Sequence, residues 1–177
     1  MTIKHTLSVA TALVAAGALY AAVHTDYDHH ADFSRYHTYS WIGVSAGNPL
    51  WQPRIQQAVD SALAAKGLTR VESGGDLAVS AIGKTREQDS MQTFDDGFPG
   101  WGWRAGWWGG GMGMATTETI PEKIGDLTVD LFDAQGKQLV WRGHASDTLT
   151  SKPEKNEKKM DKAVDDMFKD FPPKSKG

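Results

Sequence analysis

The chain contains no cysteine. Disulfides, thiolate catalysis, Cys-bound zinc and iron–sulfur clusters are therefore excluded. So is a lipid anchor on a cysteine sulfur. Positive charge is not in excess: 19 Lys and Arg face 22 Asp and Glu, for a formal net charge of −3. A groove for nucleic acid needs clustered basic residues to displace the counterions of the phosphates, so that class of partner is not expected. No Gly-x-Ser-x-Gly elbow, His-Glu-x-x-His helix or phosphate-cradling glycine loop occurs. Asp95-Asp96, Glu118 and the pair His144 and Asp147 are the nearest approach to an acid/base set. Carboxylates adjacent in sequence more often solvate a loop, and paired carboxylates mean catalysis only at a defined separation. The expectation is a non-enzymatic protein without a cofactor. No internal repeat and no second domain are visible.

Hydrophobic residues make up 40% of the 177 residues, enough for a real core. Residues 1–22 combine a short basic start, Lys4 and His5, with an uncharged Ala- and Leu-rich run from Leu7 to Ala22. That is the layout of a secretory signal peptide. Ala21 or Ala22 can precede the cut, although Leu19 and Tyr20 are poor residues three positions upstream. An uncleaved inner-membrane anchor is the alternative, because the run approaches the lower limit of about 17 residues for a span. The expected location is periplasmic or secreted, with residues 23–177 as one domain.

The clearest pattern lies in Lys123–Ala145. Leu127, Val129 and Leu131 alternate with Thr128 and Asp130, as in a half-buried strand. Asp133-Ala134-Gln135-Gly136-Lys137 supplies turn chemistry, with Gly136 free to take positive φ. The return strand carries Leu139 and Trp141 on the face of the first. Trp141 is expected in the core, and Arg142 on the other side near acids such as Asp130. Further strands are expected near Val23–Asp28, Tyr36–Trp41 and Asp76–Gly83, with polar Lys84–Thr93 a continuation of the last. Gly43–Gly47 reads as a loop. Ala115–Ile120 restarts a strand that Pro121 can interrupt.

Two amphipathic helices are expected. In the first, Asn48 can cap a start carrying Pro49, or Pro53 can equally be an early helical residue; Ile55, Val59, Ala62 and Leu63 recur at helical spacing, and Gly67 fits the left-handed residue after the end. In the second, Ser151-Lys152-Pro153-Glu154 has capping-box spacing, and Met160, Val164, Met167 and Phe171 share a face. The expected architecture is α+β: a single antiparallel β-sheet of about 4–6 strands with two amphipathic helices packed mainly on one face.

Asp95–Met114 differs in kind. Four of the seven tryptophans lie between Trp101 and Trp108, and eight of the nineteen glycines between Gly97 and Gly113. No helical or strand period survives, so the segment reads as a long loop at a hairpin tip. Trp101, Trp103, Trp107 and Trp108 offer flat apolar faces with one N–H donor each, and Arg104 can stack on an indole. These five residues are the candidate binding set, for an envelope partner, a glycan or a membrane surface. The bland reading folds some of the indoles back onto the sheet as a core cap. A second candidate is metal binding by His24, His29 and His30, interleaved with acids, together with Met112 and Met114. Imidazole and thioether suit copper, and imidazole with carboxylate suits zinc. A His-rich stretch near a mature N-terminus is, however, more often a solvated tail.

The stretches TDYDHHADFSRYHTYSW, GDLAVSAIG, VDLFDAQGKQLVWRGHA and MFKDFPP, in that order, resemble the bacterial domain-of-unknown-function 4136 (DUF4136) family. The resemblance covers most of the chain after residue 22. Its most specific parts are the Asp-Phe-Ser-x-Tyr-x-Thr-Tyr-x-Trp and Val-Trp-Arg-Gly stretches. It implies an exported envelope domain, often a lipoprotein, built of an antiparallel sheet with helices on it. It implies no activity and no catalytic residues. The missing lipoprotein cysteine departs from the family pattern, and the Trp/Gly/Met loop reads as an elaboration. The protein is expected to be monomeric.

Overall fold

The computed structural model describes the backbone of residues 21–94 and 116–173, and the side chains of residues 21–88 and 121–173. In chain order the elements are β1 (Ala22–Tyr27), a 3-10 turn (Phe33–Arg35), β2 (Thr38–Ala46), a second 3-10 turn (Pro49–Trp51), α1 (Gln52–Ala65), β3 (Thr69–Arg70), β4 (Leu77–Phe94), β5 (Thr116–Asp133), β6 (Leu139–Thr148) and α2 (Pro153–Phe168). The strands form one six-stranded sheet in the order β1-β6-β5-β4-β2-β3.

The sheet is mixed, which corrects the expectation of a purely antiparallel one. β2 runs parallel to both β3 and β4. The reason is connectivity. α1 follows β2 and carries the chain back to the end where β2 began, so the next strands enter in the same direction.

Alternation along the strands gives the sheet one covered and one open face. Leu77, Val79 and Ala81 of β4, Leu127, Val129 and Leu131 of β5, and Trp141 and Ala145 of β6 are buried in one cluster. Ile55, Val59, Ala62 and Leu63 of α1 and Ala163, Val164, Met167 and Phe168 of α2 complete that cluster. The apolar stripes of both helices therefore seal the same face. On the other face no helix packs among the described residues, and Ser80, Thr128, Arg142 and His144 stand there.

Several local expectations need revision. β2 runs through Gly43, bulging between Trp41 and Gly43, where a loop was expected. Leu139 is exposed, because a register shift between Leu131 and Phe132 takes it off the covered face. The residue at positive φ in the β5–β6 turn is Lys137, not Gly136. β5 continues through Pro121, which lies beyond the last β6 rung at Ile124, where that side of the strand has no ladder to interrupt. α2 has Lys152 as N-cap with no side-chain hydrogen bond. Asn156 instead clasps Thr150: its Oδ1 accepts from the Thr150 backbone N–H at 2.8 Å, and its Nδ2 donates to the Thr150 carbonyl at 2.8 Å. Asn48 accepts from the Leu50 backbone N–H as the cap of the 3-10 turn Pro49–Trp51, whereas α1 has Trp51 as N-cap with no side-chain hydrogen bond and carries Pro53 in its first turn; Gly67 has φ +85 as expected.

Candidate functional site: an arm and a cleft

Motif residues that look chemical turn out to be anchors. Asp60 of α1 accepts from Tyr39 Oη at 2.7 Å, Trp41 Nε1 at 2.8 Å and Arg70 Nη1 at 2.7 Å. These bonds tie the helix to β2 and β3. Asp133 accepts from Tyr36 Oη at 2.9 Å, from the backbone N–H groups of Gln135 and Gly136, and from Arg35. Asp76 Oδ2 accepts from the backbone N–H groups of His37 and Thr38 and from Thr38 Oγ1, each at 2.9 Å. The Gly136 N–H above all holds the Asp133 carboxyl below the ordinary carboxylate range, against the desolvation that raises it. Burial, reinforced by the Asp133 carboxylate, pushes the Tyr36 phenol up to about 12. Burial and Asp60 raise Tyr39 likewise. Each of the three carboxylates is held by at least three structural donors.

The Val-Trp-Arg-Gly stretch has the same character. Trp141 stacks on Phe168 with centroids 4.6 Å apart and meets Phe171 edge-on at 5.6 Å. Arg142 makes a forked pair with Asp130 on the open face, at 2.6 and 2.8 Å. A Cβ at Gly143 would stand 2.6 Å from Trp141 Cη2. Trp141 and Arg142 thus lie where the sequence placed them.

Two features remain that the anchoring does not use. The first is a cleft of about 280 Å³ on the covered face, where the two helices part. Gly83, Gly125 and Leu127 form its floor, with Ile55 and Trp51 on one wall and Met160 on the other. Its rim carries Lys159, which pairs with Asp147 at 3.0 Å and donates to the Thr148 carbonyl at 2.8 Å. No pattern of residues along the chain signals this cleft, because its lining is drawn from β2, β4, β5, β6, both helices and the second 3-10 turn.

The second feature is an arm. β2 accompanies β4 only as far as Gly83, and β6 accompanies β5 only from Ile124. Beyond those points β4 and β5 remain paired alone, from Glu87↔Lys123 to Phe94↔Thr116. At the usual rise per residue this two-stranded ribbon is about 25 Å long. It leaves the sheet at the same end as the cleft. Chain connectivity makes Phe94 and Thr116 the roots of the Trp/Gly/Met segment. Trp101, Trp103, Arg104, Trp107 and Trp108 lie outside the described residues, as do Met112 and Met114.

The histidines do not gather as one N-terminal cluster. His24 lies on the open face of β1, opposite His144 of β6. His29 packs edge-on to Tyr27, with ring centroids 4.4 Å apart, and Tyr27 alternates to the other face of the strand. His30 belongs to the turn, where its backbone N–H donates to Asp28 Oδ1 at 2.8 Å. Among the described residues, no group of three or more His, Asp or Glu side chains could hold a metal ion.

In fold the protein is a single-sheet α+β domain with both helices on one face. The chain belongs to the family Domain of unknown function (DUF4136), whose profile matches residues 23–173. No protein of curated function matches the sequence. Among solved structures, a PDZ domain protein from Parabacteroides distasonis is similar, at 13% identity and a TM-score of 0.56. The match covers 88% of this chain but 37% of that one, so this chain spans little more than a third of its length. The PelC dodecamer from Paraburkholderia phytofirmans is also similar, at 12% identity and a TM-score of 0.49, covering 83% of this chain and 94% of that one. At these identities the likeness concerns the fold alone.

Proposed function

We propose that the protein is a non-enzymatic cell-envelope domain that binds a partner, a glycan or a membrane surface through the Trp/Gly-rich segment between β4 and β5. The observation that carries this reading is the arm. A two-stranded ribbon on its own is only marginally stable in water, so a ribbon of about 25 Å is an expensive way to close a hairpin. It is an economical way to hold a contact segment clear of the folded body. The segment it roots is the part of the chain richest in indole, the side chain best suited to sugar rings and membrane interfaces. The cleft at the arm's base is a second apolar surface within reach of the same partner.

Export fits this reading. Residues 1–22 have the composition of a signal peptide, and no helix among the described residues is long and apolar enough to cross a membrane. The test is cosedimentation of the chain with liposomes and with insoluble peptidoglycan, beside a variant lacking Gly100–Gly113. Binding by the parent that disappears in the deletion, with an unchanged thermal melt, is the expected result. Equal binding by both would move the contact surface elsewhere.

A further inference from the structure

The edge of the sheet beside α2 carries groups that neither the arm nor the cleft uses. β1 ends the strand order and pairs only with β6. Its even-numbered residues bond to that neighbour: the Asp28 backbone N–H, two residues beyond the Asp26↔Arg142 rung, donates to the Val140 carbonyl at 2.9 Å. Successive residues of an antiparallel strand alternate in this respect, so the backbone groups of Val23, Thr25 and Tyr27 point away from the sheet. The Asp26 carboxylate accepts from the Tyr27 N–H at 2.9 Å. The N–H and C=O groups of Val23 and Thr25 have no partner among the described residues. The side chains of the same three residues turn to the covered face. There they meet the end of α2 around a pocket of about 260 Å³, whose other walls include Asp166, Asp170 and Pro173. Charge at this pocket is one-sided. Asp165 and Asp166 lie in the last turn of α2, which contains no basic side chain, and Asp170 follows it. A helix C-terminus is the negative end of its dipole, so these carboxylates add to the field there instead of offsetting it. Lys162, one turn back, pairs with Asp166 at 2.9 Å, whereas Asp170 has no ion pair or hydrogen bond among the described residues.

We propose that the β1 edge binds an extended segment of a partner protein by strand addition, with a Lys or Arg side chain of that segment seated in the pocket beside Asp166 and Asp170. A strand laid along β1 finds the N–H and C=O groups of Val23 and Thr25 already turned outward. Main-chain bonds of this kind supply affinity, and pockets for alternate side chains supply selectivity. The apolar stem of the basic residue lies against Val23 and Tyr27, and its charged head reaches the carboxylates and the negative end of α2. A second copy of this chain is the poorer occupant, because its own β1 brings Asp26 and no Lys or Arg. The contact does not depend on the Trp/Gly/Met segment, which joins β4 to β5.

The test is fluorescence anisotropy of the full chain with a short labelled peptide of alternating Thr and Val around one central Lys. The same peptide with norleucine or Glu at that position serves as control. The Lys peptide is expected to bind, and the norleucine and Glu peptides to bind weaker by roughly tenfold or more, the loss that goes with a bond to a charged group. In Asp166→Asn/Asp170→Asn the Lys and norleucine peptides should bind alike. Thr25→Pro removes an outward N–H, leaves the ladder to β6 intact and should abolish binding. Circular dichroism checks that each variant is folded. N-methylation of the Lys peptide's backbone amides should abolish binding to the parent as well, a readout that needs no variant. The Gly100–Gly113 deletion should bind the Lys peptide as the parent does. No binding of the Lys peptide, equal binding of the Lys and Glu peptides, binding unchanged by Thr25→Pro or by N-methylation, or binding lost with Gly100–Gly113 would each overturn the proposal. So would a dimer in sedimentation velocity that Thr25→Pro dissolves, which would assign the edge to a second copy.

Discussion

Gly143→Ala puts one methyl group where the structure leaves no room. The new Cβ would stand 2.6 Å from Trp141 Cη2, 3.0 Å from Met167 Sδ and 3.2 Å from Met167 Cβ. Real contacts of this kind are essentially never below 3 Å, so something must move. The indole is poorly placed to give way, being stacked on Phe168 and held edge-on by Phe171. Met167 is buried and offers little more. Overpacking a closed core by one methyl costs about 1–3 kcal/mol. For a domain of this size each kcal/mol lowers Tm by about 2–4 °C, so a fall of roughly 2–12 °C is expected by differential scanning calorimetry. Trp141→Phe removes the clashing atoms, so the double variant should lose less than the sum of the two single changes. Tm unchanged in Gly143→Ala, or strict additivity with Trp141→Phe, would refute the argument that this glycine is required by the packed indole.

Two further outcomes follow from the anchoring carboxylates. Tyr39→Phe deletes one of three donors to Asp60 and should cost about 1.5 kcal/mol, the low end for a bond to a charged group, since two donors remain; urea denaturation measures it. Asp133 has a folded-state pKa below its unfolded value, so its contribution is complete above the unfolded pKa and is lost as pH falls through the folded one. Parent stability should therefore decline below about pH 4, and Asp133→Asn, less stable at neutral pH, should show a shallower decline there. Parallel profiles of the two proteins between pH 2 and 5 would contradict this.

The central part of the fold was legible because its residues obey one period. Leu127, Val129 and Leu131 alternate without exception, and Trp141 and Arg142 fall on opposite faces as alternation requires. Legibility failed where a longer-range constraint took over. The parallel placement of β2 follows from where α1 delivers the chain, which no window of residues contains. Leu139 left the covered face through a bulge that one extra residue creates, and that insertion has no signature in the residue types. The Ser-x-x-Glu spacing before α2 was unused because Asn156 and Thr150 already satisfy that junction. For the candidate sites the contrast is sharper. The Trp/Gly/Met segment announces itself by composition alone. The meeting of the β1 edge with the end of α2 depends on strand order and was invisible, and the His24, His29 and His30 run was conspicuous for proximity in sequence that the turn and strand alternation then undo.

Trp fluorescence of the chain, titrated with liposomes or soluble peptidoglycan fragments beside the Gly100–Gly113 deletion, reports on binding through the Trp/Gly/Met segment itself. Trp41, Trp51 and Trp141 are present in both proteins, so the difference between them reports Trp101, Trp103, Trp107 and Trp108. A red-shifted component in the full chain that moves to the blue on addition of lipid or glycan, and is missing from the deletion, is the expected result. A full-chain spectrum that is already blue and does not respond would contradict it, and would assign those indoles to the core.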